Sequence, residues 1–211
     1  MKFCLAKHCY LSFYLHGIMN IKPLIQYFNR YLPLNKAEIT ALEKVVTEKH
    51  LKRKQYILQT NDICNYYTFV VSGLFKMYSI DKNCVEHIIQ FACENEWVED
   101  LNSLHKNKPS CLCIEAIEPS VVLQIKKADL HTLLSTFTKF ERNFRVIHEE
   151  KFMELENRLL QNISFGAEEN YIHFLDQFPQ ISNRIPNTLI ASYLGITPEF
   201  LSKIRGNITR K

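Results

Sequence analysis

The sequence lacks the features that identify several common classes of protein. It has only five glycines in 211 residues, and it has no glycine-rich loop of the kind that surrounds a phosphate group. The paired histidines of a zinc-protease helix and the serine-centred turn of the α/β-hydrolases are also absent. No uninterrupted apolar run is long enough to span a bilayer. We therefore expect neither an enzyme nor a membrane protein.

Cysteine follows no regular spacing, which argues against a secreted, disulfide-bonded domain. The seven cysteines are Cys4, Cys9, Cys64, Cys84, Cys93, Cys111 and Cys113. Reduced, buried thiols in a cytoplasmic protein are expected instead. No four of them are spaced for an iron–sulfur cluster. Haem ligation by His87, His105 or His148 is an alternative, but isolated histidines are more commonly ordinary residues, so no cofactor is expected.

The N-terminal residues do not fit a secretory signal peptide, because Lys7, His8 and His16 interrupt the apolar stretch. Two interpretations stay open for this segment. It is either a translated extension, or the protein starts at Met19 and residues 1–18 are a non-native extension.

Apolar periodicity divides the rest of the chain into helical and strand-forming blocks. Residues 20–50 are predicted to be helical, with Asn35 as an N-cap. Residues 51–126 contain short β-branched and aromatic runs separated by turns, one of them at residues 81–83, which is typical of an antiparallel barrel or sandwich. The predicted strands are 56–58, 66–71, 74–80, 85–91, 111–117 and 121–125.

Residues 127–163 are predicted to form one long helical region with an apolar stripe. The stripe comprises Phe140, Phe144, Ile147, Phe152, Leu155, Leu159 and Ile163. Lys151 falls where an apolar residue would be expected. Two interpretations remain equal on periodicity alone: packing against the helix's own domain, or a dimer seam resembling a coiled coil.

The most informative segment is residues 186–204, which is predicted to form two short helices joined by a tight turn. Ala191 suits the close crossing of the two helices, and Gly195 suits a turn that needs positive φ. Thr197 can cap the second helix, with Pro198 at its first position. This pattern predicts a DNA-binding helix-turn-helix, with a purely structural helical hairpin as the alternative.

The second helix would expose residue types that contact DNA. A carboxylate such as Glu199 can accept from a cytosine amino group, and Lys203 can donate to guanine. The net charge is only +4, but the last fourteen residues carry Lys203, Arg205, Arg210 and Lys211 against Glu199 alone, which places positive charge near phosphates. The candidate DNA-binding residues are Thr197, Pro198, Glu199, Ser202, Lys203, Arg205 and Arg210.

Residues 20–208 resemble the Crp/Fnr family of bacterial regulators, particularly the compact members typical of Bacteroidetes. The segments that carry the resemblance are 190–204 (IASYLGITPEFLSKI), 67–78 (YTFVVSGLFKMY), 86–91 (EHIIQF) and 97–101 (WVEDL). The resemblance implies an α+β fold with three parts. These are an antiparallel jelly-roll barrel like a cyclic-nucleotide-binding domain at 20–136, a dimerisation helix at 137–163, and a helix-turn-helix domain at 164–211.

The resemblance also implies function and partners. A homodimer would bind a pseudo-palindromic double-stranded DNA site, with RNA polymerase and an unknown small-molecule effector as further partners. By carry-over, Glu199 and Lys203 are the main base-reading residues, with Ser202 beside them. Pro198 stands where better-known relatives often have Arg, which removes one guanine or phosphate contact. The DNA sequences that those relatives recognise are therefore not carried over to this protein. The short loop before Pro186 predicts a reduced or missing β-wing.

The cyclic-nucleotide site of the family is only partly matched. Glu99 and Asp100 supply an acid without the usual glycine, and Lys108 with Ser110 stands where an Arg–Ser pair would hold the phosphate. A lysine cannot form the bidentate fork of arginine. The sequence therefore predicts an effector pocket at these four residues that does not bind cyclic AMP. The alternative function is a barrel that regulates a protein partner without binding DNA.

Overall fold

The computed structural model describes residues 19–210, with side chains described as far as residue 208. Cys4, Cys9 and the segment before Met19 lie outside the described residues, and so do Lys211 and the side chain of Arg210. None of the helices in the described part is long and apolar enough to cross a membrane.

Two short helices lead into the first strand. They are α1 (Lys22–Phe28) and α2 (Lys36–Val45). Asn35 caps α2 through a reciprocal capping box with Glu38, which confirms the predicted cap. The prediction of helix as far as residue 50 is wrong, because β1 (Val46–Leu51) pairs along its whole length with a later strand. Tertiary pairing outweighs the helical propensity of this segment.

Two antiparallel sheets form the predicted barrel. The remaining strands are β2 (Tyr56–Leu58), β3 (Tyr66–Ser72), β4 (Phe75–Ile80), β5 (Glu86–Ala92), β6 (Leu112–Ala116) and β7 (Ser120–Lys126). One sheet has the order β1-β7-β3 and the other β2-β6-β4-β5, so β5 lies at an edge. All pairs are antiparallel, and the space between the sheets is filled by buried aromatic and aliphatic side chains. The antiparallel fold class is confirmed.

The backbone conformation and the close packing between β3 and β4 require a glycine at Gly73. Its φ is +102°, and a Cβ atom here would lie 2.7 Å from the Cα atom of Ser120. No side chain fits that space. In the turn after β4 it is Cys84 rather than Asn83 that adopts positive φ, at +61°. Cys84 and Cys111 are exposed, so the prediction of uniformly buried cysteines is wrong for these two.

The helical region after the barrel is not continuous. It consists of α4 (Lys127–Thr136) and α5 (Thr138–Ser164), separated by Phe137 in an extended conformation. A further helix, α3 (Leu101–Lys106), precedes β6 and was not predicted. The first half of α5 packs on the barrel through Phe140, Phe144 and Ile147. Its second half leaves the barrel and exposes its apolar side chains.

Three helices complete the described chain: α6 (Ala167–Gln177), α7 (Asn187–Tyr193) and α8 (Pro198–Arg210). No strand follows β7 in the part of the chain that the structure describes. Buried residues of these helices share one apolar cluster with the outer face of the β4–β5 sheet. The C-terminal domain is therefore packed on the barrel.

Candidate DNA-binding surface and effector cleft

The helix-turn-helix geometry of α7 and α8 follows from a few small or polar residues. Ala191 is fully buried where the two helices approach, and Gly195 adopts φ +67° in the turn. The Thr197 hydroxyl accepts a hydrogen bond from the Phe200 backbone N–H at 3.2 Å, which confirms the predicted cap. Pro198 is the first residue of α8, where its missing N–H costs nothing.

One face of α8 is buried and the other is open to solvent. Leu201 and Ile204 pack inward and are almost fully buried. The predicted contact residues Thr197, Pro198, Glu199, Ser202, Lys203 and Arg205 are all exposed. Hydrogen bonds from its own backbone N–H and from Thr197 lower the pKa of Glu199, so its carboxylate is charged at neutral pH. The Arg205 guanidinium donates to Asn187 Oδ1, which links α8 to the start of α7.

Ser192 links α7 to the free edge of β5 through two hydrogen bonds. Its hydroxyl donates to the Glu86 carbonyl at 2.6 Å and accepts from the Ile88 N–H at 3.2 Å. A C=O and an N–H two residues apart point to the same side of a strand, so one oxygen satisfies both edge groups. No sequence pattern predicts this role, because Ser192 occupies an ordinary helical position.

Arg158 of α5 forms a second link between the domains. Strand β5 has a bulge opposite the Met77–Tyr78 step, which leaves the Ile89 carbonyl free of the ladder. The Arg158 guanidinium donates to that carbonyl and, at 3.2 Å, to the carbonyl of Tyr193. It also lies 3.9 Å from the centre of the Tyr193 ring, a cation–π distance.

Arg184, in the loop before α7, forms a third link. It donates to both carboxylate oxygens of Glu94, at 3.0 and 2.9 Å, and also to Glu118. These hydrogen bonds raise the pKa of the arginine further above its ordinary value. Glu94 in turn accepts from the Gly73 N–H at 2.8 Å, so the bridge reaches the tight turn between β3 and β4.

A cleft of about 550 Å³ lies between the β4–β5 sheet, α5 and the C-terminal domain. Two of the four predicted effector residues, Glu99 and Asp100, line it. The other two do not, because Lys108 is exposed on a loop and Ser110 is buried away from the cleft. The four residues therefore do not all line this cleft, and their role as an effector pocket stays a prediction.

Asp100 and Ser110 are occupied by structural hydrogen bonds. One oxygen of Asp100 accepts from the backbone N–H groups of Asn102 and Ser103 and so caps α3. Its other oxygen accepts from the Ser110 hydroxyl at 2.7 Å. Neither residue is left available to hold a phosphate.

Glu99 differs from Asp100, because one of its oxygens has no partner. Burial raises the pKa of the Glu99 carboxyl to about 8, against the opposing effects of Lys151 and a backbone hydrogen bond from Thr68. Part of the side chain remains accessible, yet Oε2 is buried and unpaired. The indole Nε1 of Trp97, which also lines the cleft, is buried and unpaired as well.

Residues 48–137 match the cyclic nucleotide-binding domain family. No curated protein matches the chain by sequence. FixK2 from Bradyrhizobium japonicum superposes with a TM-score of 0.67 at 19% identity, over 79% of this chain and 85% of that one. CooA from Carboxydothermus hydrogenoformans gives 0.68 at 14% identity, over 92% and 86%.

A structure from Eubacterium rectale, described as a transcriptional regulator of the Crp/Fnr family, gives a TM-score of 0.65 at 18% identity, over 85% of each chain. These similarities extend through the barrel, α5 and the C-terminal helices, since they cover most of the chain. Residues 48–137 are therefore similar to the cyclic nucleotide-binding domain family, and the chain has the fold of these Crp/Fnr structures.

Proposed function

We propose that this protein is a sequence-specific DNA-binding transcriptional regulator that acts as a homodimer on a pseudo-palindromic site. The observation that carries the proposal is the exposed face of α8, which follows a capped helix-turn-helix turn and is not covered by the rest of the described chain. A helix presented in this way can enter the major groove. RNA polymerase is the further partner that such a regulator would address.

The residues of α8 divide into base-reading and phosphate-binding groups. Glu199, Ser202 and Lys203 lie on the exposed face within the first two turns, where a recognition helix contacts base edges. Arg205 and Arg210 follow toward the end of the helix and are assigned to phosphates. Thr197 and Pro198, at the helix N-terminus, would approach the DNA backbone.

The second half of α5 supports the homodimer. Phe152, Leu155, Leu159 and Ile163 expose between 54% and 75% of their surface at steps of three or four residues. An apolar stripe of this length is unusual for a surface helix of a monomer. Two copies of α5 packed side by side would bury it and would place two α8 helices on one side of the dimer.

Selection of binding sequences from random DNA, followed by fluorescence anisotropy at several salt concentrations, tests the proposal. An inverted repeat with half-sites about one helical turn apart is expected, together with a steep loss of affinity as salt rises. Glu199→Ala should relax base preference, whereas Arg210→Ala should weaken binding to all sequences alike.

Lys44→Ala, on α2, removes one exposed positive charge and is the matched control for Arg210→Ala, because Leu42 of α2 belongs to a different apolar cluster from the buried residues of α8. It should leave DNA affinity unchanged. A stable dimer that binds no DNA at any salt concentration would contradict the proposal and favour the barrel as a module that regulates a protein partner.

A further inference from the structure

One apolar side chain of α8 lies outside the packing that holds the helix on its domain. Phe200, in the first turn, exposes 48% of its surface, whereas Leu201 and Ile204 are almost fully buried. Neither of the two apolar clusters of the described residues includes Phe200. About half of this side chain is therefore available to a binding partner.

The geometry of α8 fixes where Phe200 stands. Successive residues of an α-helix are about 100° apart, so Phe200 lies about 60° from Lys203 and about 100° from the inward-facing Leu201. Phe200, Lys203 and Asn207 form an exposed row with spacings of three and four residues. The Thr197 hydroxyl accepts from the Phe200 N–H at 3.2 Å and so holds the first turn in place. Phe200 thus lies beside a residue assigned to base reading, at the edge of the same exposed face.

A phenyl ring has few favourable contacts on DNA. It cannot form a hydrogen bond or an ion pair with a phosphate, in contrast to the polar and charged residues around it on α8. In the major groove, the apolar group on the base edges is the C5 methyl of thymine, which apolar side chains such as Phe contact. Apolar wedges between base steps belong to minor-groove binding, whereas α8 is expected to enter the major groove. The thymine methyl group is therefore the contact that suits Phe200.

We propose that Phe200 is a specificity-determining residue that packs its ring against the C5 methyl group of a thymine in each half-site, next to the base pair that Lys203 contacts. This packing adds selection by apolar burial to the hydrogen-bonding selection assigned to Glu199 and Lys203. The role rests on the proposed function, because it requires α8 to enter the major groove. It goes beyond that function by naming the base and the group on it that the protein recognises.

Replacement of a thymine by deoxyuridine removes the C5 methyl group and leaves the hydrogen-bonding groups of the base unchanged. We would take the duplex that the wild-type protein selects from random DNA and replace the thymines of one half-site with deoxyuridine, one at a time. Fluorescence anisotropy with the full-length protein would give the Kd of each duplex. At one position the wild type should bind the deoxyuridine duplex about fourfold more weakly, the effect expected for one buried methyl group.

Phe200→Ala should bind the unmodified duplex about tenfold or more weakly than the wild type, because both subunits lose the ring contact. It should also no longer distinguish deoxyuridine from thymine at the sensitive position. Phe200→Leu keeps an apolar side chain and should retain part of the preference, which keeps the test valid if the alanine variant does not fold. Circular dichroism would check the folding of each variant.

Ile63→Ala is the matched control, because it truncates an apolar side chain that is also exposed, to 39%. Ile63 precedes Cys64, which belongs to a different apolar cluster from the buried residues of α8. The control variant should keep both the affinity of the wild type and its response to deoxyuridine.

The role of Phe200 would be overturned by a selected half-site without thymine, or by wild-type binding to every deoxyuridine duplex within about twofold of the unmodified one. A Phe200→Ala protein that keeps the wild-type preference for thymine would overturn it as well. In each of these cases the protein still selects a DNA sequence, so the proposed function stands. Failure to select any sequence would refute the proposed function together with the role of Phe200, and the two failures are therefore distinguishable.

Discussion

Glu99 makes the stability of this protein depend on pH in a way that can be calculated. In the unfolded chain its carboxyl has an ordinary pKa of 4.5, whereas burial raises the pKa of the folded state to about 8. Between these values the folded protein keeps a proton that the unfolded chain releases, so the free energy of unfolding falls as pH rises. The groups that face Glu99 are Lys151 from α5 and Tyr67 and Cys64 from the barrel, all of which keep their charge state in this window.

Replacing Glu99 with Gln removes the proton equilibrium. From about pH 5 to pH 7 the wild type should lose roughly 2–3 kcal/mol relative to Glu99→Gln, because one proton contributes about 1.4 kcal/mol per pH unit. For a chain of this length the difference corresponds to about 5–10 °C in Tm.

Urea denaturation of the wild type and Glu99→Gln at a series of pH values measures this difference. The other titrating groups are the same in both proteins, so their contributions cancel when the two free energies of unfolding are subtracted. Glu141→Gln should instead follow the wild type at each pH. If wild type and Glu99→Gln run parallel within about 0.5 kcal/mol, a normal carboxyl pKa would be established and the argument from burial would be refuted.

Three further predictions follow from the packing. Gly73→Ala should destabilise the barrel by about 2 kcal/mol or more in urea denaturation, because its Cβ would collide with the Ser120 backbone; a neutral result would contradict the observed φ. Leu159→Glu should convert the dimer to a monomer in light scattering at micromolar concentration, and a persistent dimer would place the interface elsewhere. Arg184→Ala should destabilise the protein by about 2 kcal/mol and increase proteolysis of the loop before α7, since it leaves Glu94 without its cation; unchanged proteolysis would show that the ion pair does not hold the loop.

The sequence predicted the regular parts of this fold well, for identifiable reasons. The alternation of β-branched and aromatic residues in 66–71 depends only on local chemistry, as does the Thr197–Pro198 start of α8. Strand β1 was missed because its pairing with β7 depends on residues 69 to 79 positions away. The break at Phe137 was missed because neither proline nor glycine marks it.

The candidate sites also divide into a part that local sequence predicts and a part that depends on distant residues. The exposed face of α8 could be predicted, because helical periodicity fixes which residues oppose Leu201 and Ile204. The effector cleft could not, since it combines residues from three separate parts of the chain. Asp100 and Ser110 were both assigned to an effector pocket, but the hydrogen bond that joins them to one another depends on the three-dimensional arrangement.

The single oxygen with which Ser192 covers the edge of β5 has a consequence for solubility. An unprotected strand edge offers its backbone groups to other chains and promotes intermolecular pairing. A barrel expressed without the C-terminal domain would expose this edge together with the apolar outer face of the β4–β5 sheet. The helix-turn-helix domain thus also protects the barrel against aggregation, and any movement that frees it for DNA must leave that edge covered in another way.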